Sequence, residues 1–469
     1  MEQIAKDMSE NTFQKLTHEK NQKHLYSHYK TLPDEERKLF IKNISQYLFA
    51  QTELAVYEKT DETITPFSPE SNIPLGRKEK EVFRNTGLEE IKNGKVAAIT
   101  FAGGSGTRLG GTLPKAMTDM GLPSKKCVIQ LMAEKLLRVT MDAERKYGEN
   151  IEHPLWVVTT SEKTKEIFPG FFEENSYFGL DRKRVFFVCQ TSIACYDLDG
   201  KILLRSPTEP LTTPNGNGSL YDYLGQNGIV RLLSENNIRH VQITNSDNPL
   251  TFPVDPVLVG AAEREDTDLC IKALEKTDPN EKVGVFVRRN NAVGILEYSD
   301  MVQEEKERRG GNGELLFGCA NINVFCFSFA LFKKICDRIE SGEVSLPYHV
   351  AIKKEKYYDP VSGEEVVPET ECVVKMERFI FDSFFMAQNA KIILADRCEF
   401  CPIKDRDALK KACCEIHRLH HGWIEKTLKK ELPVAAGGCT CEISPLLTLQ
   451  GDGLEEHLAG KDLHCPVHL

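Results

Sequence analysis

No window of the chain approaches the unbroken apolar length of about 20 residues that a membrane-spanning helix needs. The N-terminal stretch MEQIAKDMSENTFQKL carries no apolar segment of the signal-peptide kind. These two absences predict a cytoplasmic protein. Excess positive charge is also missing: 60 Lys and Arg stand against 70 Asp and Glu, a net charge of −10. Nothing global therefore attracts nucleic acid or an anionic membrane, and a phosphate ligand must be held by local groups. Cysteine is not scarce, at 15, but the number is odd. Cys127, Cys189, Cys270, Cys326 and Cys336 are scattered singly through apparent strands and helices, the usage of reduced thiols rather than of a disulfide framework.

Glycine is absent until Gly76, and this first part reads as helical. DEERKLFIKNISQYLFAQTEL places Leu39, Phe40, Ile44, Tyr47 and Leu48 on one stripe at helical spacing, a packing face rather than a chemical one. TPFSPESNIP, with Pro66 and Pro74, then reads as a linker. From Lys95 onward short apolar runs alternate with helical patterns. KVAAITF, PLWVVTT, RVFFVCQ, HVQITNSD and DLCIKAL are expected strands, and SKKCVIQLMAEKLLRVTMDAE and SLYDYLGQNGIVRLLSENN expected helices. The alternation predicts an α/β fold built on a mixed, mostly parallel Rossmann-like sheet covered by helices. Asn290-Asn291 separates two alternating runs and predicts an antiparallel hairpin added to that sheet. Three segments are expected: an N-terminal helical region over 1–90, a central ligand-binding domain over 91–395, and a small C-terminal α+β region over 396–469, basic and rich in cysteine and histidine.

The stretch TFAGGSGTRLGGTLPKAM, Thr100 to Met117, follows an expected strand and precedes an expected helix. In open α/β sheets ligands bind at the carboxyl ends of strands. Gly103, Gly104 and Gly106 let backbone N–H groups approach an anion, and Arg108 and Lys115 add positive charge for phosphate oxygens. It is not a P-loop, because its lysine follows Pro114 rather than glycine. Nor is it the dinucleotide fingerprint, because Gly110 comes four residues after Gly106 instead of three. As bare glycines the loop could be a plain turn; Arg108, Pro114 and Lys115 favour a nucleoside triphosphate.

AGGSGTRLGGTLPKAM resembles the signature of the sugar nucleotidyltransferases, and TDMGLPSKKCVIQLMAEKL is similar to that of the eukaryotic-type UDP-N-acetylglucosamine pyrophosphorylases of the UDP-sugar pyrophosphorylase superfamily. PNGNGSLYDYL, NSDNPL, KVGVFVRRNNAVGILEYSDM, LLFGCANINVFCFS, VKMERFIFDSFF, CEFCPIKD and CEISPLLTLQGDGLE follow in the family's order, so the resemblance runs from about residue 35 to 456. It implies a nucleotidyltransferase that condenses UTP with N-acetylglucosamine 1-phosphate, reversibly and with Mg²⁺ (or Mn²⁺), to UDP-N-acetylglucosamine and pyrophosphate. A monomer with no nucleic-acid or membrane partner is expected.

Position by position, the resemblance implies that the backbone from Gly103 through Thr107, with Arg108, cradles the UTP phosphates, that Lys115 and Lys404 sit on the reacting phosphates, and that Asp247 binds the cation. Gln190 and the backbone of Gly216 would read the uracil. Asn217, Asn321 and Glu297 would contact the sugar, Gly284 would give it room, and Phe379 and Phe381 would line the N-acetyl pocket. On the residues alone, Asp247 is equally an N-cap aspartate and Lys404 a solvated loop lysine. Two phenylalanines two apart on a strand share one face and are usually core. The chain departs from the family's Asn-Ile-Ala-Asn-His at Asn321 to Phe325, where it reads NINVF, and Ser105 replaces a glutamine.

Other readings stay open. One is a UDP-glucose or broad UDP-sugar pyrophosphorylase, another a non-catalytic nucleotide-sugar-binding protein. A structural zinc site among Cys398, Cys401, Cys439, Cys441, Cys465 and the nearby histidines is the weakest, since one Cys-x-x-Cys pair lacks a second at finger spacing.

Overall fold

The structure is a computed structural model that describes residues 8–50, 63–67, 72–111, 113–148, 150–311, 313–432, 440–459 and 467–469. Of the expected linker, residues 68–71 lie outside the described residues. The chain divides into two compact units, one of residues 1–61, 190–222 and 341–383, the other of 62–189, 223–340 and 384–469. These units do not follow the three segments expected from the sequence. The anticipated break at residue 90 falls inside a helix of the larger unit, and residues 396–469 belong to that same unit.

In the smaller unit, helices α1 (Glu10–Glu19), α2 (Lys23–Tyr29) and α3 (Asp34–Ala50) pack over short antiparallel strands. Phe13, Leu25, Phe40, Ile44 and Leu48 bury their side chains against Ile193, Ile202, Leu204 and Met376. The helical stripe is therefore real, except that Leu39, at 44% exposure, faces solvent. The amphipathic arm has no core of its own, so it completes itself on sequence-distant strands.

The larger unit is built on a ten-stranded sheet. Its strands are β1 (Ile64–Pro66), β2 (Val96–Phe101), β3 (Leu155–Thr160), β4 (Val185–Cys189), β5 (His240–Asn245), β6 (Leu269–Glu275), β7 (Val285–Arg289), β8 (Ala292–Leu296), β9 (Cys319–Ser328) and β10 (Ala390–Ala395). β5, β2, β3 and β4 lie side by side in parallel, and the near-continuous apolar runs of β2 and β3 are buried on both faces. β9 pairs antiparallel with β5, β6 and β7, and β6 pairs in parallel with β10. β7 and β8 form the hairpin turned at Asn290 and Asn291, both at positive φ of 48° and 69°, as a two-residue hairpin turn demands.

Covering the sheet are α4 (Arg77–Lys92), α5 (Val128–Tyr147), α6 (Pro256–Arg264) and α7 (Arg406–Leu428). SLYDYLGQNGIVRLLSENN, expected as one helix, is two, Leu220–Gln226 and Ile229–Glu235. Gly228 at φ 71° ends the first, since a left-handed residue cannot continue a right-handed helix. Among the described residues no helix is long and apolar enough to cross a membrane.

Candidate functional site

The glycine-rich loop leaves the carboxyl end of β2 and folds back on itself. Ser105 bridges to Pro114, and Lys115 N–H donates to the Gly104 carbonyl at 3.0 Å. Glycine is required at 106, where a Cβ would stand 2.5 Å from the Leu113 carbonyl oxygen, whereas a Cβ on Gly104 would meet nothing within 4 Å. Gly104 thus borders open space. At Gly103 a Cβ would crowd the Thr160 backbone at 3.1 Å. The backbone of Thr107 lies in the short 3₁₀ turn Gly106–Leu109 with Arg108, which is exposed.

Asp247 lies just beyond β5, the strand next to β2, so both loops emerge at the same end of the sheet. A clamp ties this end to the segment before α7. The Asp247 carbonyl accepts from Ile403 N–H at 2.7 Å, and the Asn248 side chain accepts from Cys401 N–H at 3.1 Å and donates to the Glu399 carbonyl at 2.8 Å. The clamp brings exposed Lys404 to the neighbourhood of Asp247. Arg406 at the start of α7 donates to the Leu109 carbonyl at 2.8 Å and holds the other flank of the loop. Neither Asn248 nor Arg406 stands out in the sequence; the only signal for Asn248 is its place between a strand-end aspartate and a proline.

Electrostatically these groups form one cluster. Burial pushes the Lys115 ammonium below the usual lysine range, Arg108 and Lys404 push the same way, and Asp247 opposes them. Burial also lifts the Asp247 carboxyl above the ordinary carboxylate range, against the pull of Lys115 and Lys404. Among the described residues Asp247 makes no ion pair. A half-buried carboxylate oxygen under-compensated in this way fits a hard divalent cation, which commonly takes one or two protein carboxylates and completes its shell with phosphates and water. Lys115, with the Asp247 carboxylate and the cations Arg108 and Lys404 all acting on it, makes a cationic cluster that suits a polyphosphate.

Gly284, Glu297 and Asn321 meet in the same unit. A Cβ on Gly284 would lie 2.9 Å from Glu297 Oε1, so the glycine gives that carboxylate its room, and Asn321 N–H donates to the Gly284 carbonyl at 2.8 Å. The NINVF departure falls on a bulge: the register of β6 against β9 jumps from Val324 to Asn321. Asn323 sits at φ 56°, a conformation asparagine tolerates, and donates its N–H to Asn321 Oδ1 at 2.9 Å. Phe325 is buried, its ring 5.0 Å from that of Phe384.

The smaller unit holds the other expected residues. Gly216, at φ 77°, presses its backbone onto Arg378, whose carbonyl oxygen would stand 2.2 Å from a Cβ. Asn217 Oδ1 accepts from Ile380 N–H at 2.9 Å, so its oxygen is engaged by the chain and its amide nitrogen is the end left for a ligand. Phe379 and Phe381 do not sit on a strand. The strand Val373–Glu377 ends before them, and their rings stack at 4.9 Å in the turn and 3₁₀ helix that follow. His349, not anticipated, lies 4.4 Å from the Phe379 ring and 2.8 Å from Asp382 Oδ2. Gln190 follows β4 and is half-buried.

Of the C-terminal thiols and imidazoles, Cys439, Cys465 and His464 lie outside the described residues. Cys413 and His417 pair at 3.5 Å, and among the described residues the one group of three candidate metal ligands lies elsewhere, at Glu90, His240 and Glu263, where Arg239 already pairs with both carboxylates.

Comparison with known proteins gives consistent matches. A family model described as UTP--glucose-1-phosphate uridylyltransferase matches residues 38–436. The Saccharomyces cerevisiae UDP-N-acetylglucosamine pyrophosphorylase is 34% identical over 402 residues, 84% of this chain and 82% of that one. The Xenopus tropicalis UDP-N-acetylhexosamine pyrophosphorylase-like protein 1 is 34% identical, covering 87% of this chain and 83% of its own. Among solved structures, the Trypanosoma brucei uridine diphosphate N-acetylglucosamine pyrophosphorylase in complex with inhibitor superposes with a TM-score of 0.77 at 28% identity, over 96% of this chain and 95% of that one.

Proposed function

The chain belongs to the UTP–glucose-1-phosphate uridylyltransferase family, and from that premise we propose that it is a cytoplasmic uridylyltransferase joining UTP to N-acetylglucosamine 1-phosphate, releasing pyrophosphate. The observation that carries this reading is the convergence of Arg108, Lys115, Lys404 and Asp247 around the glycine loop at one end of the sheet. A phosphate oxygen of the sugar phosphate attacks the α-phosphorus of UTP in line; the bond to the bridging oxygen breaks, and pyrophosphate leaves with that electron pair. No enzyme nucleophile is needed. The work is to hold two polyanions together and to neutralise charge on the leaving group.

Backbone N–H groups from Gly103 to Thr107 and the Arg108 guanidinium hold the β and γ phosphates. Lys115 faces the reacting phosphate, with Lys404 beside it. Asp247 would hold Mg²⁺, which supplies charge neutralisation to the phosphates when bound. Gln190 and the Gly216 backbone read the uracil edge, for which an amide offers both donor and acceptor. Glu297, Asn321 and the Asn217 amide take the sugar hydroxyls and acetamide, and Phe379 with Phe381 packs the acetyl methyl.

The sugar assignment is supported by the names of full-length relatives above 30% identity. The description of the family model favours glucose 1-phosphate as a second reading. Pyrophosphorolysis separates them: with pyrophosphate and Mg²⁺, UTP should form faster from UDP-N-acetylglucosamine than from UDP-glucose. The opposite order would favour the second reading.

A further inference from the structure

A cavity of about 250 Å³ opens in the larger unit between α5, α7, the loop after β5 and the segment Glu442–Gln450. None of Arg108, Lys115, Asp247 or Lys404 lines it. Its walls are mostly apolar, with Leu131, Phe252, Ile393, Ile416, Trp423 and Leu449 among them. An apolar cavity of about 150 Å³ takes a benzene, so this one has room for a two-ring system.

Most polar groups at its wall are already engaged. Lys272 lies between Asp255 and Glu399, Lys80 pairs with Asp396 at 2.9 Å, and Glu442 accepts from Ser124. His420 Nδ1 accepts from Ile443 N–H at 3.0 Å, and burial keeps its ring neutral, pushed down to about 3. Lys135 differs. Its ammonium donates to the carbonyls of Pro249 at 2.6 Å and Thr251 at 3.1 Å and stands 5.0 Å from the Phe252 ring centre. Among the described residues it has no carboxylate partner at ion-pair distance. An ammonium has three donors, and two are spent on neutral oxygens. Burial lowers it to about 7, with Lys272 acting in the same sense and Glu399 against.

A lysine at the wall of an apolar cavity, with a donor to spare and no carboxylate within ion-pair distance, suits an acid carried on a flat apolar body. We propose that this cavity is a binding site for a small aromatic carboxylate, its rings against the α5 and α7 walls and its carboxylate on Lys135. The wall and the phosphate-holding end of the sheet share one stretch of backbone, since Glu399 lines the cavity and its carbonyl accepts from Asn248, next to Asp247.

The probes are 2-naphthoate and its neutral analogue 2-naphthamide, added to the full chain. The chain has two tryptophans, and only Trp423 lines the cavity; Trp156 is fully buried in the sheet with its indole N–H on Thr100. Naphthoate should change Trp423 fluorescence saturably and bind at least tenfold more tightly than the amide. Lys135→Met should remove that advantage and leave amide binding in place. A readout without substitution uses Cys398, exposed and at the cavity wall: naphthoate should slow its alkylation, followed by peptide mass spectrometry, while exposed Cys414 reacts at an unchanged rate. Equal affinity for the two probes, or no protection of Cys398 at millimolar naphthoate, overturns the proposal.

Discussion

Replacing Lys272 with methionine should cost about 3–5 kcal/mol of stability, because it strands the buried Asp255 carboxylate and leaves the half-buried Glu399 without its partner. The Lys272 side chain is 9% exposed and its Nζ lies 2.7 Å from Asp255 Oδ2, whose side chain is 3% exposed; it also contacts Glu399. Asp255 and Glu399 hold the lysine above its usual range, and Lys272 holds Asp255 below the ordinary carboxylate range. The sign follows from those directions. The lowered Asp255 contributes stability that is present above its unfolded value near 3.9 and lost as pH falls through the folded one. The raised Lys272 contributes stability that is present below its unfolded value near 10.4 and lost only as pH rises through the folded one. Between about pH 5 and 9 neither member of the pair titrates, so the cost of Lys272→Met should change with pH only through Lys135, whose ammonium Lys272 pushes down. By comparison, the exposed pair Lys333–Asp337 on one helical turn should be worth only about 0.2–0.5 kcal/mol. Thermal unfolding tests this, with an expected fall of about 5–10 °C for Lys272→Met and under about 1 °C for Lys333→Ala. Adding Asp255→Asn and Glu399→Gln should recover much of the loss, since asparagine still caps α6 by accepting from Val257 N–H, as Asp255 does at 2.9 Å. A Lys272→Met protein within 1 kcal/mol of the parent would refute the argument that the stranded charges carry the cost.

Lys115→Ala should abolish turnover and leave the melting temperature within about 1 °C, and a variant with normal turnover would take Lys115 out of the mechanism. Because Lys115 is lowered and Asp247 raised, kcat/KM should fall on the alkaline side below the ordinary lysine value near 10.4 and on the acid side above the ordinary aspartate value near 3.9. Lys115→Arg, if active, should move the alkaline limb upward, as a guanidinium does not titrate there; an unmoved limb would assign it to another group. Gly106→Ala should raise the KM for UTP by at least tenfold, because its methyl collides with the Leu113 carbonyl and reshapes the loop; an unchanged KM would show that the loop does not hold the triphosphate. Asn248→Ala removes two of the three clamp bonds, leaving only the backbone bond from Ile403 N–H to the Asp247 carbonyl, and should lower kcat more than it changes nucleotide affinity, as resolved by steady-state kinetics and calorimetry.

The sheet and its glycine loop are legible in the sequence because both rest on local signals. Near-continuous apolar runs such as Val96 to Phe101, broken only by Thr100, mark strands buried on two faces, and Gly-Gly-x-Gly followed by Arg108 and Lys115 marks a backbone shaped for an anion. The hairpin at Asn290-Asn291 is equally local. What escaped depends on contacts distant in sequence. No periodicity tells that Phe40 and Ile202 share one buried core, or that Asn248 clamps Cys401 across 153 residues. Phe379 and Phe381 were misplaced on a strand because spacing of two cannot distinguish a strand from the turn beyond its end. The bulge at Asn323 was hidden for a similar reason: a positive φ is carried by one asparagine, while the alternation around it still reads as a plain strand.

Pyrophosphate release from UTP and Mg²⁺, measured in parallel with N-acetylglucosamine 1-phosphate, N-acetylgalactosamine 1-phosphate and glucose 1-phosphate, tests the central claim most directly. The account predicts a clear preference for the acetylated sugars, with the Asn321 to Phe325 bulge still serving them. Equal or faster release with glucose 1-phosphate would contradict the sugar assignment, and no release with any of the three would contradict uridylyl transfer itself.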